Sequence, residues 1–161
     1  MIISGSKNQI ITKLLSLPDK DYTVEVREKG DNRGLTANRY YWHLVHEYAV
    51  WSKHSDAYIH NDIMSRFGED DTIDGKLIYV VMPDNEIYME YQKIHLRPTT
   101  EVKVGTDGTL YRTFIKRADS HTLNTKQFSR LIDGLIQEIQ GSDAPIETMT
   151  PRQLLSLKGY Q

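Results

Sequence analysis

Two arginines flank the start of a helical pattern in "RGLTANRYYWHLVHEYA", residues 33 to 49. With Thr36 as N-cap, Arg39 takes the third helical position, where a capping box would place Glu or Gln, and Arg33 lies just ahead of the helix. Free backbone N–H groups at a helix start, combined with two guanidinium forks, make a phosphate-binding constellation. The alternative is a solvated surface that tolerates about 0.3–1 kcal/mol of unfavourable charge–dipole interaction. The spacing leaves both readings open.

The same helix carries His43, His46 and Glu47 within about one turn, which invites a metal reading. The spacing departs from the helical zinc signatures: H-E-x-x-H needs histidine at Val50, and H-x-x-E-H needs Glu and His exchanged. An exposed His43–Glu47 pair at i,i+4 accounts for two of the three. The acidic group Glu69, Asp70, Asp71 and Asp74 lacks the alternating oxygen ligands of a calcium loop and reads as a solvated turn. No G-x-S-x-G elbow, phosphate-cradling P-loop or G-x-G-x-x-G occurs, so hydrolase and dehydrogenase readings gain no local support.

A stronger signal lies further on. Arg97, Lys103, Arg112, Lys116, Arg117, Lys126 and Arg130 are interleaved with Tyr111 and Phe114. Cations that meet phosphates and flat rings that stack on bases are the means by which proteins hold single-stranded nucleic acid. Leu110, Arg112, Phe114 and Lys116 share one face of a strand and Tyr111, Thr113, Ile115 and Arg117 the other, so at least one of the two rings belongs to the core.

The elements that must position these residues follow from periodicity. "KNQIITKLLSL" has apolar residues at helical spacing, and "YTVEVRE" alternates as a strand. The helix of the opening stretch runs to about Ser52, with Asn38, Tyr41, Trp42, Val45, Tyr48 and Ala49 on its core side and Arg39, His43, His46, Glu47 and Val50 opposite. Asn38 is expected to bond backbone of the preceding loop. A second helix has Ser55 as N-cap and Gly68 as its stop. "LIYVVM" reads as a buried strand, and "PDNEIYMEYQKI" is ambiguous between a short helix and a loop.

"HLRPTTEVKV", "GTDG" and "TLYRTFIKR" form a predicted hairpin, with Pro98 placing its first strand at an edge or making it irregular. A helix follows with Phe128, Leu131, Ile132, Leu135, Ile136 and Ile139 on one face, capped by Asn124 or Thr125 and with Gly141 beyond its end. Thr150 and Pro151 open a last helix. The fold class is α+β: one compact domain over 1–161, helices packed on a small, largely antiparallel sheet with a basic hairpin. Residues 1–75 make the helix-rich part, and 76–161 the hairpin and C-terminal helices.

At 161 residues, with 39% hydrophobic and 26% charged residues, the chain has the composition of one soluble domain. No apolar run approaches the ~18 residues of a membrane span, and the N-terminus lacks the pattern of a secretion signal, so cytoplasmic residence is expected. The absence of cysteine rules out disulfides, thiolate zinc sites and cysteine nucleophiles. The net charge of -2 hides an asymmetry: residues 61–95 hold 3 Lys/Arg against 8 Asp/Glu, and residues 96–130 hold 7 against 3. Such a distribution suits a protein with one face turned to an anion; the plainer reading is chance clustering on a solvated surface.

"RGLTANRYYW" resembles the R-x-L-x-x-N-R-x-x-W segment of the NinB/Orf family of phage recombination proteins, through Arg33, Leu35, Asn38, Arg39 and Trp42. "ADSHTLNTKQFSRLIDGLIQEIQ" and the later "IETMTPRQLLSL" are similar to the C-terminal part of relatives from phages of Gram-positive bacteria. The resemblance implies a small homodimeric α+β protein that binds DNA, preferentially single-stranded, and helps a recombinase displace single-strand-binding protein. It implies no catalytic residues and no cofactor. Two other functions compete with it: a metal-dependent phage nuclease using His43, His46, Glu47 or the acidic turn, and an interaction module whose arginines meet acidic segments of a partner protein.

Overall fold

Helix ends fall where capping side chains stand. In the computed structural model, which describes residues 3, 6–24 and 35–158, the helices are α1 (Lys7–Leu15), α2 (Leu35–Ser52), α3 (Asp56–Phe67), α4 (Thr125–Gly141) and α5 (Pro151–Lys158). Ser55 caps α3 by accepting from the Tyr58 N–H, and Gly68 closes it. Asn124 caps α4 in a reciprocal box with Gln127. Thr150 and Gln153 do the same for α5, with Pro151 at its first position. Gly141 lies inside α4, which is capped one residue later at Ser142.

The strands are β1 (Thr72–Ile73), β2 (Lys76–Leu77), β3 (Tyr79–Pro83), β4 (His95–Val104) and β5 (Leu110–Arg117). The first two form a small antiparallel pair, and the others an antiparallel sheet in the order β3-β5-β4. The predicted hairpin is β4 and β5, and β4 is an edge strand with a register break between Pro98 and Val102. The ambiguous segment after β3 is a short 3-10 helix, Glu86–Glu90. The acidic turn is not simply solvated: Asp74 and Gly75, at φ 51° and 75°, turn the hairpin of β1 and β2.

Every residue predicted for the apolar face of α4 is buried. They pack in one cluster with Tyr41, Leu44, Val45, Tyr48 and Ala49 of α2 and Ile59, Ile63 and Met64 of α3, so the core draws on both parts of the chain. The sheet buries its own smaller set, Leu96, Phe114 and Ile115, with Met89 from the 3-10 segment. Asn61 of α3 links the layers. Its amide nitrogen donates to the carbonyls of Met89 and Tyr91, both at 2.7 Å, leaving Oδ1 to accept from His95 Nδ1 at 2.6 Å. Because the amide nitrogen is committed as donor, His95 carries its proton on Nδ1.

Other expectations change as well. α2 already includes Leu35 and Thr36, so Thr36 is not its cap and Arg39 lies a turn inside rather than at the third position. Trp42, expected in the core, is exposed and lies on the His60 ring at 4.6 Å, because Tyr41 and Leu44 take the inward positions. "LIYVVM" is not a buried strand: Leu77 belongs to β2, and β3 is a sheet edge with Tyr79 60% and Val81 65% exposed. In "YTVEVRE", residues 22–24 are in no strand and the rest lies outside the described residues, as do Arg33 and the loop Asn38 was expected to bond. Asn38 itself is half-buried.

Gly134 shows how closely the helices approach: a Cβ there would run into the Phe67 ring at the end of α3. Gly134→Ala should therefore lower stability by about 1–2 kcal/mol in urea denaturation, although alanine is the better helix former by about 1 kcal/mol. A stability gain would show that the Phe67 ring can move aside.

Candidate nucleic-acid interface

The basic and acidic segments that look separate in sequence face each other in the fold. Arg112 grips Asp84 with Nε and Nη2 at 2.7 and 3.0 Å, and its Nη1 donates to the Thr99 carbonyl. Lys116 pairs with Asp71, Arg130 with Glu69, and Arg97 with Asp70 at 3.2 Å. The charge asymmetry is thus largely internal compensation, not one face turned to an anion. Hydrogen bonding to Lys116 holds the Asp71 carboxyl below the usual carboxylate range, and Arg112 does the same for Asp84.

Arg117 is the extreme case. It is only 6% exposed, and its guanidinium donates to the carbonyls of Met64 and Gly68 at the end of α3 and to Asp70. Carbonyls at a helix C-terminus attract cations, and three acceptors use most of the guanidinium fork. Arg117 therefore joins helix to sheet and offers nothing to a phosphate. Phe114 is fully buried against Tyr88 at 4.8 Å, so no base can stack on it.

On the sheet, two members of the predicted track stay accessible, one exposed (Lys103) and one half-buried (Tyr111). Lys103 and Tyr111 sit opposite each other on β4 and β5, and Lys103 is paired only with exposed Glu101 at 3.2 Å. They line a hollow of about 470 Å³ on the open sheet face together with Tyr79, Val81, Glu101 and Thr113. The Tyr111 ring is seated on the backbone of Gly105, where a Cβ would come within 2.7 Å of it. Tyr79 and Tyr111 stand at opposite ends of the hollow, since Tyr79 pairs with Ile115 and Pro83 with Tyr111. At roughly 3.3 Å per residue this separates them by about 13 Å along the strands.

The other predicted cations sit on separate elements. Arg39 is exposed on α2, which packs on α3, α4 and α5, and Lys126 is exposed in the first turn of α4. The histidines of α2 do not converge. His43 Nε2 meets Glu47 at 3.4 Å, as i,i+4 spacing predicts, whereas His46 turns to Asp56 at 3.1 Å. Among the described residues no three His, Asp or Glu side chains are grouped to hold a metal ion, and no helix is long and apolar enough to cross a membrane. Sequence reasoning missed Tyr79, because the apolar run around it reads as buried and carries no alternation that would mark an uncovered edge. No family model, no curated protein and no solved structure matches the chain.

Removing Arg117 would strand the Gly68 carbonyl and leave Asp70 to Arg97 alone. Arg117→Ala should cost about 1–3 kcal/mol, and Arg117→Lys should recover little because an ammonium lacks the planar fork. Lys126→Ala should leave denaturation unchanged. Full rescue by lysine would reduce the clamp to a point charge.

Acid should destabilise the fold in two steps. Burial lowers the pKa of His95, so the unfolded chain takes up a proton first, and stability should begin to fall as pH drops below about 6.5. Asp71 and Asp84, whose folded pKa values are depressed, resist protonation longer than in the unfolded chain, so a second loss should follow below about pH 4. His95→Gln should remove the first step and keep the second in urea midpoints measured against pH.

Proposed function

We propose that this chain binds single-stranded DNA without cleaving it, on the open face of its sheet, and serves as an accessory to phage DNA recombination. The observation that carries the reading is the pair of tyrosines, exposed Tyr79 and half-buried Tyr111, at the two ends of a hollow floored by Val81 and Thr113 and flanked by Lys103. Each ring offers a π-face to a base of any identity, and the lysine offers a charge to the backbone. The likeness of Arg33, Leu35, Asn38, Arg39 and Trp42 to the NinB/Orf segment supports the recombination context, in which a recombinase and single-strand-binding protein are the partners and a homodimer the working form.

The site differs from a simple basic track. Arg97, Arg112, Lys116, Arg117 and Arg130 hold carboxylates of the chain itself, which among the described residues leaves Lys103, with Lys126 and Arg39, for phosphates. With about three phosphates neutralised, log affinity should fall against log salt with a slope near -2.1. Tyr79→Ala and Tyr111→Ala should each weaken binding of a labelled oligonucleotide by about 1–3 kcal/mol, and Lys103→Ala should reduce the salt slope. Unchanged affinity in the double tyrosine variant would move the site off the sheet. The oligonucleotide should stay intact with Mg²⁺, Mn²⁺ or Zn²⁺, and its cleavage would favour the nuclease alternative.

A further inference from the structure

The two edges of the sheet are built differently. β4 carries the features that keep an edge from pairing: Pro98, the register break between Pro98 and Val102, and the charged Glu101 and Lys103. β3 has none of these until its last residue. Tyr79, Val80, Val81 and Met82 carry no charge, and among the described residues no strand pairs with its outer side.

The hydrogen-bond pattern fixes which groups that outer side presents. Lys116 donates to the Ile78 carbonyl at 2.9 Å and Asp84 to the Leu110 carbonyl at 2.8 Å, so the even-numbered residues of this segment turn their backbone toward β5. In an antiparallel ladder the alternate residues then face away. The N–H and C=O groups of Tyr79 and Val81 therefore line the open edge, and Pro83, with no N–H, closes its end.

We infer that β3 pairs antiparallel with β3 of a second copy of this chain about a two-fold axis at Val80. That register sets Tyr79 opposite the partner's Val81 and Val81 opposite the partner's Tyr79, and all four outward N–H groups and all four carbonyls of these residues are satisfied. Centring on Val81 instead would set Tyr79 against the partner's Pro83, which has no N–H to give. The Val80 register also pairs an aromatic with a β-branched side chain, a favourable cross-strand combination, from residues that are 60% and 65% exposed in the single chain. The uncharged strand meets itself with no like charges opposed. Two three-stranded sheets become one of six strands, with their open faces continuous. The pairing stands on backbone geometry alone and holds whether or not the face binds DNA.

The register is testable because the chain has no cysteine. At the two-fold axis Val80 and the partner's Val80 form a non-hydrogen-bonded pair, whose Cα atoms lie about 4.5 Å apart, within disulfide range. Val80→Cys should oxidise to a covalent dimer, whereas Thr100→Cys on β4 should stay monomeric under the same conditions. The unmodified protein should sediment at twice 18.7 kDa at high micromolar concentration. Val81→Pro, which removes an outward N–H, should restore the monomer with unchanged circular dichroism; if that variant unfolds, Tyr79→Lys/Val81→Lys, which sets lysines against each other, serves in its place. A monomer at all concentrations overturns the inference. So does a dimer that neither cross-links through Val80→Cys nor responds to the edge variants.

Discussion

The Arg117 clamp is the interaction on which the arrangement depends. β5 ends beneath the C-terminus of α3, and one guanidinium there ties the carbonyls of Met64 and Gly68 to the carboxylate of Asp70. The backbone closes the same junction: Asp71 donates to the Lys116 carbonyl and Ala118 to the Glu69 carbonyl, at 2.9 and 2.8 Å. A buried charge is tolerated only when such partners replace its water, and here they come from a helix end, a loop and a strand at once. The clamp thereby sets how the helical layer sits on the sheet, which the Asn61–His95 bond then repeats from the middle of α3.

Charge compensation spreads outward from that junction. Four acidic residues of the middle segment, Glu69, Asp70, Asp71 and Asp84, take up five of the seven cations that follow. Most of these pairs are partly solvated, so each contributes modestly to stability, but together they remove much of the positive field a phosphate backbone would meet. What the sheet leaves open is instead aromatic and apolar, with Lys103 beside it. A chain of net charge -2 has a coherent physical design in these terms: its charges hold the fold, and its uncovered rings and uncovered strand edge face outward.

The sequence by itself determined much of the secondary structure. Ser55, Asn124 and Thr150 are capping side chains whose hydrogen bonds reach only three residues, and the face of α4 repeats with the helix period; local chemistry of this kind is written in neighbouring residues. The β4–β5 hairpin was legible for the same reason. The hairpin of β1 and β2 was missed although Asp74 and Gly75 are a strong turn signal: the segment was read as a solvated turn, and strands of two residues each are too short to show an alternation.

Tertiary structure alone decided which of the candidate residues are accessible. Whether Arg117 meets a phosphate or a helix end, and whether Phe114 or Tyr111 is open, depends on contacts across about 50 residues of sequence, such as Arg117 to Met64, that no periodicity encodes. An arginine and an aromatic ring serve a buried junction or a ligand equally well, since the same donors and the same apolar surface satisfy both. The exposure of β3 was hidden likewise: an apolar run fits a covered strand and an uncovered edge alike, and only the order β3-β5-β4 shows which one it is.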